Sequence, residues 1–377
     1  MAFRFNFSNP DSDNEDEQLD TGIQAISLKT ESEVEHVESD RMQAAKFDIE
    51  AMKLPDTLQA DRVTMSSIAY TMYKRTLADV KFQIARQDDL EAEQTPMIEM
   101  AGNTDLIKGI YEGGFKTWEC SIDLVEFMHT KMDDSSLTNK KVLELGCGSA
   151  LPGIYLLMRH ESNQVDFQDY NEQVLQYITI PNIILNTVVA PSEASAEDEE
   201  PGIEHNGLPQ DNANILDHDG QDDEDEDEDE PHADEEEMDS ADAELEISET
   251  QAPDILSKLS QRSQCYFGEW QSLTNAMNLS DNLNKYDMIV TSETVYSEES
   301  IPGLVKVLQN TLKKPDGVAY VAGKTVYFGV GGGILPFCAC VDATKDKENH
   351  KLKYQSVFET SGKNTVKREI LKITWDI

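Results

Sequence analysis

The chain has 377 residues and a formal net charge of −43, an acidic balance that disfavours direct binding to nucleic acid. The excess is local, because residues 191–250 contain 27 acidic residues and no Lys or Arg, and residues 1–50 contain 13 acidic and 4 basic residues. No apolar run of 18 or more residues and no basic-then-apolar N-terminus occurs, so we expect a protein that is neither membrane-bound nor secreted.

The cysteines point to a reducing compartment. Five of them occur, without a CxxC pair and without a histidine at zinc-ligand spacing: Cys120, Cys147, Cys265, Cys338 and Cys340. An odd, scattered set indicates free thiols, so we expect no metal site and a location in the cytoplasm and nucleus.

Two acidic segments frame the domain boundaries. Residues 222–230 are nine consecutive acidic residues, and like-charge repulsion at that density rules out a packed core. We therefore predict a disordered acidic insertion at 191–251 and a disordered acidic N-terminal region at 1–60. Either segment is a solvated spacer or a surface that attracts basic protein clients.

Residues 61–100 are predicted to be an N-terminal extension with one strand. Val80, Phe82 and Ile84 alternate with polar neighbours between 77 and 84, a pattern typical of a half-buried strand. The polar stretch 87–100 that follows reads as a linker.

A loop and a helix come next. Gly113 and Gly114 predict a flexible loop, and the apolar spacing after Trp118 (Ile122, Leu124, Val125, Met128) predicts a helix. Trp118 beside a glycine pair, just ahead of the first strand, is suited to closing over a ligand; a core position under a turn remains open.

Residues 141–153 have the pattern strand, glycine turn, helix. Val142, Leu143 and Leu145 form a short apolar strand, Gly146 and Gly148 allow a sharp turn, and Pro152 fits the first turn of a helix. This arrangement offers backbone N–H groups to a nucleotide-like ligand.

Further strands alternate with helices along the chain. Strands are predicted at 164–168, 265–267, 286–291 and 317–322, helices at 154–158, 174–185 (with Asn171 as N-cap and Pro181 bending it) and 298–312, and a terminal antiparallel hairpin at 354–358 and 369–375. The expected fold is α/β, Rossmann-like, with a mostly parallel doubly wound sheet whose domain spans 101–190 and 252–377.

The residues at the strand ends indicate which nucleotide is bound. A dinucleotide fingerprint needs a third glycine, and Leu151 stands there instead. Glu144, just before the turn, is suited to orienting the loop or to binding a cationic amino group. Asp169 lies 23 residues after Gly146, close to where a carboxylate binds both ribose hydroxyls in such sheets, and Glu269 ends the third strand, where it could reach an adenine edge. Each acid alone also fits a helix cap, but together they favour S-adenosylmethionine over NAD.

Six motifs together resemble the histidine protein methyltransferases, a family within the seven-β-strand methyltransferases. The residues concerned are YEGGFKTWEC at 111–120, LELGCGSALP at 143–152, QDYN at 168–171, TIPN at 179–182, SETVY at 292–296 and YFGVGG at 327–332. The resemblance implies methyl transfer from S-adenosylmethionine to a histidine ring nitrogen of a large-subunit ribosomal protein, the one called uL3, with a role in ribosome biogenesis or translation and no direct nucleic-acid contact.

The resemblance also implies site residues. The cofactor site is expected to contain Trp118, Glu119, Glu144, Gly146, Cys147, Gly148, Asp169, Tyr170, Glu269, Trp270 and Ser292, and the catalytic residues are expected to be Glu293 and Tyr296. Two departures from the common pattern are Ala150, where glycine is frequent, and Glu269, where aspartate is commoner. We expect Glu293 to orient the acceptor imidazole through its N–H; a structural loop anchor is the other reading.

Two other functions remain open at this point. A protein-lysine methyltransferase of the same fold shares the acidic-x-x-Tyr motif, and a non-catalytic ribosome-assembly chaperone would use the acidic insertion to hold a basic client. We expect a monomer in each case.

Overall fold

A computed structural model describes residues 42–65, 67–68, 71–88, 113–193, 241–279, 281–360 and 366–377. The predicted disorder of residues 1–41 and of 194–240, the predicted linker beyond residue 88 and the turn at 361–365 therefore lie outside the described residues. None of the helices in the described part combines the length and hydrophobicity that a membrane span needs.

The described chain contains twelve strands. They are β1 (Ala45–Phe47), β2 (Thr57–Val63), β3 (Met72–Arg75), β4 (Lys141–Leu145), β5 (Gln164–Asp169), β6 (Ser192–Glu193), β7 (Ala243–Glu246), β8 (Cys265–Phe267), β9 (Met288–Ser292), β10 (Val318–Lys324), β11 (Lys351–Glu359) and β12 (Arg368–Asp376).

Nine α- or π-helical segments accompany these strands in the described residues, besides a 3₁₀ helix at Asn282–Asn284. They are α1 (Leu77–Asp88), α2 (Glu119–Lys131), α3 (Asp134–Leu137), α4 (Leu151–Arg159), α5 (172–188), α6 (Ala252–Ser260), α7 (Trp270–Ala276), α8 (Ile301–Thr311) and α9 (Ile334–Ala343).

The main sheet has eight strands in the order β1-β8-β5-β4-β9-β10-β12-β11. The five strands from β8 to β10 are parallel, whereas β1 at one edge and the β11–β12 hairpin at the other are antiparallel. The predicted mostly parallel α/β sheet with a C-terminal hairpin is confirmed. Strand order reverses between β4 and β9, which makes the carboxyl ends of these two strands the expected place for a ligand.

Alternation along β4 divides its side chains between the two faces of the sheet. Val142 belongs to the apolar core beneath α2, α4 and α5, whereas Leu143 and Leu145 belong to the core beneath α7, α8 and α9. Both faces of the parallel strands are therefore covered, which is why these strands are short, nearly uninterrupted apolar runs.

Helix α5 alternates between two helical geometries. It consists of α-helical stretches at Glu172–Val174 and Ile180–Ile183 and π-helical stretches at Leu175–Thr179 and Ile184–Val188. Asn171 stands at the predicted N-cap position but makes no side-chain cap hydrogen bond, and Pro181 lies in the second α-helical stretch. Wide π turns of this kind are concentrated near functional sites.

The predicted strand at 77–84 is wrong, because this segment is helix α1. Val80 and Ile84, four residues apart, are buried together against Phe115, Val174 and Tyr177, whereas Phe82 is 62% exposed. Three apolar residues at every second position fit a strand, but the outer two also fit one face of a helix.

Both acidic segments were predicted with boundaries that are too wide. β1 lies inside 1–60 and pairs antiparallel with β8, with Ala45 opposite Phe267. β6 and β7 lie inside 191–251 and join a second sheet of order β3-β2-β7-β6. Short edge strands held by main-chain pairing leave little pattern in a sequence dominated by acidic side chains.

Candidate functional site

The turn after β4 is held by backbone conformations that favour glycine. Gly146 has φ 59° and Gly148 has φ 49°. A Cβ atom on Gly146 would lie 2.5 Å from Cγ2 of Thr294, so the turn sits close against the segment that follows β9. Ala150, with φ 61°, occupies the left-handed region without being glycine and leads directly into α4.

Glu144 lies beneath the turn and supports it. Its carboxylate is buried and accepts the backbone N–H of Gly153 in α4 at 2.8 Å. Burial raises the pKa of Glu144 well above its usual value, and the nearby Asp169 carboxylate adds to this effect. The structure thus brings this predicted cofactor residue to the site, but its contact is with the helix N-terminus.

Asp169 ends β5 beside the same turn. One carboxylate oxygen accepts the N–H of Gly148 at 2.9 Å, and the other accepts the N–H of Asn171 at 3.1 Å. A carboxylate can accept about four hydrogen bonds, so these two bonds are compatible with contacts to the hydroxyls of a ribose. Its position at the end of the second strand suits that role.

Gln168 joins three strand ends and was not among the predicted site residues. Its side chain is 1% exposed, donates to Gly268 O at 2.9 Å, and accepts from Gly146 N at 3.3 Å and from Nε1 of Trp270 at 2.8 Å. β4, β5 and β8 are therefore tied together at the edge where the ligand is expected. Its membership in the QDYN motif was the available signal.

Two polar side chains of α5 support the glycine turn from behind. Thr179 Oγ1 donates to Gly148 O at 2.7 Å, and Asn182 Nδ2 donates to Ser149 O at 2.9 Å. Asn182 also accepts the N–H of Arg75 at 2.7 Å, which connects the turn to the second sheet. These contacts explain why the TIPN motif matters.

Cys147 lies buried in the turn, with Sγ 3.5 Å from Thr179 Oγ1. Burial, together with the nearby acids, raises the pKa of this thiol well above its usual value. The thiol stays protonated at neutral pH and acts as a packing group.

The loop 113–118 lies over the glycine turn. A Cβ on Gly148 would come within 3.3 Å of Gly114 O, and one on Gly114 would meet Val174 at 2.7 Å. Trp118 donates from Nε1 to Gly113 O at 3.1 Å, and the ammonium groups of Lys116 and Lys324 lie 5.1 and 5.6 Å from its ring centroid. Cation–π contacts of this kind hold the indole at the rim of the site.

The end of β8 carries Glu269 and Trp270. Glu269 Oε1 accepts from Nε2 of Gln43 at 3.2 Å, and its backbone N–H donates to Met42 O at 2.9 Å. Trp270 is half-buried at the start of α7. The N–H of Gly268 reaches the carbonyls of Asp169 (3.1 Å) and Tyr170 (3.0 Å), which places Tyr170 at the same strand edge.

Glu293 follows β9 directly after Ser292 and has φ 57°. Its side chain is 8% exposed, and Tyr327 donates its hydroxyl hydrogen to Oε2. The other oxygen, Oε1, accepts no hydrogen bond from the described residues. The ammonium of Lys324, at the end of β10, lies 3.9 Å from Oε1 and 3.3 Å from Oε2 of Glu119, so the ammonium joins these two predicted site residues.

Tyr296 is half-buried and meets Tyr327 edge to face, with ring centroids 6.5 Å apart. The glycine-rich loop that contains Gly332 and Gly333 is hydrogen-bonded to the segment that contains Val295 and Tyr296. Gly332 N donates to Tyr296 O at 3.0 Å, and Gly333 N donates to Val295 O at 2.8 Å. Tyr327 and Lys324 had no predicted role, although Tyr327 lies in the YFGVGG motif.

Four carboxylates therefore lie at the carboxyl edge of the sheet: Glu119, Asp169, Glu269 and Glu293. Such a site suits a cationic ligand with a ribose rather than a polyphosphate. The buried, partly unpaired carboxylate of Glu293 is suited to accept an N–H from a second, protein-borne ligand.

Comparisons with known proteins agree with this chemistry. A family profile described as lysine methyltransferase matches residues 106–198. Histidine protein methyltransferase 1 of Schizosaccharomyces pombe is 29% identical over 83% of this chain and 80% of its own, and that of Saccharomyces cerevisiae is 28% identical over 99% and 98%. The Dictyostelium discoideum homolog is 32% identical over 62% of this chain, which spans half of that relative.

Among solved structures, a putative methyltransferase complexed with SAH aligns over 68% of this chain and 50% of its own, with 8% identity and a TM-score of 0.38. A putative RNA methyltransferase from Pyrococcus horikoshii aligns over 79% of this chain and 95% of its own, with 6% identity and a TM-score of 0.34.

Proposed function

The chain belongs to the histidine protein methyltransferase family, and from this premise we propose that it methylates a histidine of a large-subunit ribosomal protein, the one called uL3. It is an S-adenosylmethionine-dependent enzyme that acts on protein histidine. The ribosomal substrate and a role in ribosome biogenesis or translation are the parts that the proposal adds. They rest on the resemblance of the motifs at 111–120, 292–296 and 327–332.

The residues at the carboxyl edge fit the cofactor. Gly146 and Gly148 bring backbone close to the ligand, Asp169 is placed for the ribose hydroxyls, and the half-buried Trp270 offers an aromatic face near the base. Trp118 and Lys324 cover the other side. S-adenosylmethionine supplies the methyl group on a sulfonium, which departs as a neutral thioether, so the site needs no acid for the leaving group.

The assignment of the acceptor site rests on one observation, the position and bonding of the Glu293 carboxylate. A neutral imidazole has one N–H and one nitrogen lone pair and is already a nucleophile near pH 7. When Oε1 of Glu293 accepts the N–H, the opposite nitrogen is free to form the new N–C bond, and the N–H proton then passes to Oε1 and from there to bulk water, so that the product is a neutral methylhistidine.

The decisive experiment uses labelled S-adenosylmethionine with a purified uL3-type protein and peptides from it. We expect label on one histidine, and a Glu293→Gln variant that binds cofactor within about twofold of wild type but turns over roughly 10²- to 10³-fold more slowly. Glu348→Gln is the matched control, because Glu348 bonds to Lys314 away from the strand edge. Full turnover by Glu293→Gln would refute the role of Glu293.

A protein-lysine methyltransferase is the second candidate, because the matching family profile is described by that activity. The same carboxylate would then have to remove a proton from an ammonium before transfer. A substrate peptide in which the acceptor His is replaced by Lys separates the two functions. Methylation of the Lys peptide at a rate equal to or above that of the His peptide would favour the lysine enzyme.

The acidic insertion is proposed to attract basic protein clients, because residues 191–250 carry 27 acidic side chains and no Lys or Arg. Deleting residues 194–240 should raise KM for the whole substrate protein at low salt and leave kcat on a short peptide unchanged. An unchanged KM for the whole protein would show that the insertion does not recruit the substrate.

We further propose a monomer that works in the cytoplasm and the nucleus. Light scattering on the purified protein tests the oligomeric state, and a dimer mass would contradict it. Imaging of a fluorescent fusion tests the location, and confinement to one compartment would contradict it.

A further inference from the structure

The hydroxyl group of Tyr327 both accepts and donates a hydrogen bond, and these two bonds fix its orientation. The oxygen accepts the backbone N–H of Lys324 at 3.1 Å, and its single hydrogen is donated to Oε2 of Glu293. Burial, reinforced by the Glu293 carboxylate, raises the pKa of Tyr327 well above its usual value, so the hydroxyl remains a donor at any working pH. A phenol with one hydrogen cannot serve a second acceptor at the same time.

The ring of Tyr327 is itself held in place. Its backbone N–H donates to Gly332 O at 3.1 Å, and Gly332 in turn donates to Tyr296 O at 3.0 Å. A Cβ on Gly323 would lie 3.4 Å from the Tyr327 hydroxyl and 2.7 Å from Val295, so the hydroxyl lies close above the end of β10. The hydroxyl and the Glu293 carboxylate are therefore fixed relative to each other through the loop and the end of β9.

Because Oε2 is committed to Tyr327, the carboxylate presents Oε1 and cannot exchange its two oxygens freely. Oε1 accepts no hydrogen bond from an N–H or O–H group of the described residues, and leaving a buried acceptor without a strong donor costs free energy unless a ligand supplies one. The neighbouring groups do not supply that donor. The ammonium of Lys324 stays 3.9 Å away, and the Cys120 thiol, whose pKa is raised by burial and by its charge contact and hydrogen bond with Glu293, is only a weak donor.

We propose that Tyr327 is a positioning residue that decides which ring nitrogen of the acceptor histidine receives the methyl group. This inference rests on the proposed function. A carboxylate locked by Tyr327 binds the N–H of only one imidazole orientation, so the other nitrogen always faces the methyl group. Without the hydroxyl, the carboxylate rotates, and either nitrogen can be presented.

The test is a Tyr327→Phe variant assayed on the histidine substrate, with the two N-methylhistidine isomers separated chromatographically after acid hydrolysis. We expect a cofactor Kd close to wild type and a Tm that is slightly lower, because Oε2 of Glu293 and the N–H of Lys324 lose the hydroxyl. We expect kcat to fall about 10- to 100-fold and the isomer ratio to shift by about tenfold or more toward the minor isomer. A purely structural role would not change the isomer ratio.

The matched control is Tyr354→Phe, which removes a hydroxyl that donates to the Asp342 carboxylate at 3.0 Å on the exposed face of the hairpin. It should keep both kcat and the isomer ratio. If wild type methylates histidine and Tyr327→Phe gives the same isomer ratio, whatever its rate, the positioning role is refuted. If wild type methylates no histidine, the proposed function itself has failed, and the two failures are thus distinguished.

Discussion

Replacing Gln168 by leucine should damage both stability and cofactor binding, because this side chain joins three strand ends. The substitution removes one donated hydrogen bond to Gly268 O (2.9 Å) and two accepted ones, from Trp270 Nε1 (2.8 Å) and Gly146 N (3.3 Å). Gly268 is buried and would keep an unpaired carbonyl, whereas water can replace the lost bond at the half-buried Gly146 and Trp270. The free energy of unfolding should therefore fall by about 2–4 kcal/mol, less than three buried hydrogen bonds would cost.

Urea unfolding measures the stability, and titration calorimetry measures the Kd for S-adenosylmethionine, which we expect to rise about tenfold or more as the strand ends separate. Gln309→Leu is the control. Gln309 is also buried, but its one hydrogen bond within the described residues is a long one, to Thr344 O at 3.5 Å. Equal losses of stability in the two variants, with an unchanged cofactor Kd for Gln168→Leu, would refute the reasoning.

Two further substitutions test the support of the site. Burial raises the pKa of Glu144 above its usual value near 4.5, so the folded state binds the proton more tightly than the unfolded state. The stability that this protonated carboxyl contributes is fully present below pH 4.5 and is lost as the pH rises through the raised pKa. The free energy of unfolding of Glu144→Gln relative to wild type should therefore increase with pH above about 4.5, and a pH-independent difference in urea titrations would contradict this. In the loop that contains Gly329 and Gly332, Gly332→Ala should lower kcat strongly, because its Cβ would lie 2.3 Å from Tyr296 O. Gly329→Ala meets no atom within 4 Å but is strained by its φ of 82°, so it should lower kcat less; equal kcat values for the two variants would contradict the clash.

The sheet was predictable because its central strands are buried on both faces. β4, β8, β9 and β10 are short, mostly apolar and followed by glycine or a polar residue, whereas β5 alternates polar and apolar side chains, and helices separate these strands. Helix α1 was not recognised, because its apolar positions Val80 and Ile84 are also compatible with a two-residue period. β1 was missed because its register depends on main-chain bonds to β8, a strand that is distant in the sequence.

The sequence indicated site residues mainly at or just after the ends of strands. Glu269, two residues after β8, and Glu293, directly after β9, are examples, and both lie at the carboxyl edge of the sheet. Gln168 and Lys324 lie inside strands, near or at their ends, and their contacts depend on which strands are neighbours, which no local pattern encodes. Tyr327 reaches Glu293 through a loop whose path follows from backbone contacts of Gly332 and Gly333.

Because β6 pairs with β7, the length of the acidic segment between them can change without changing the fold of the enzyme. Glu193 stands opposite Ala243, so the residues that flank most of the acidic segment lie on adjacent strands. For a flexible connection between such ends, each doubling of length costs only about 0.6 kcal/mol. The connection between β6 and β7 is therefore a place where residues can be gained, lost or exchanged during evolution. A foreign domain could also be inserted there while the methyl-transfer site stays unchanged.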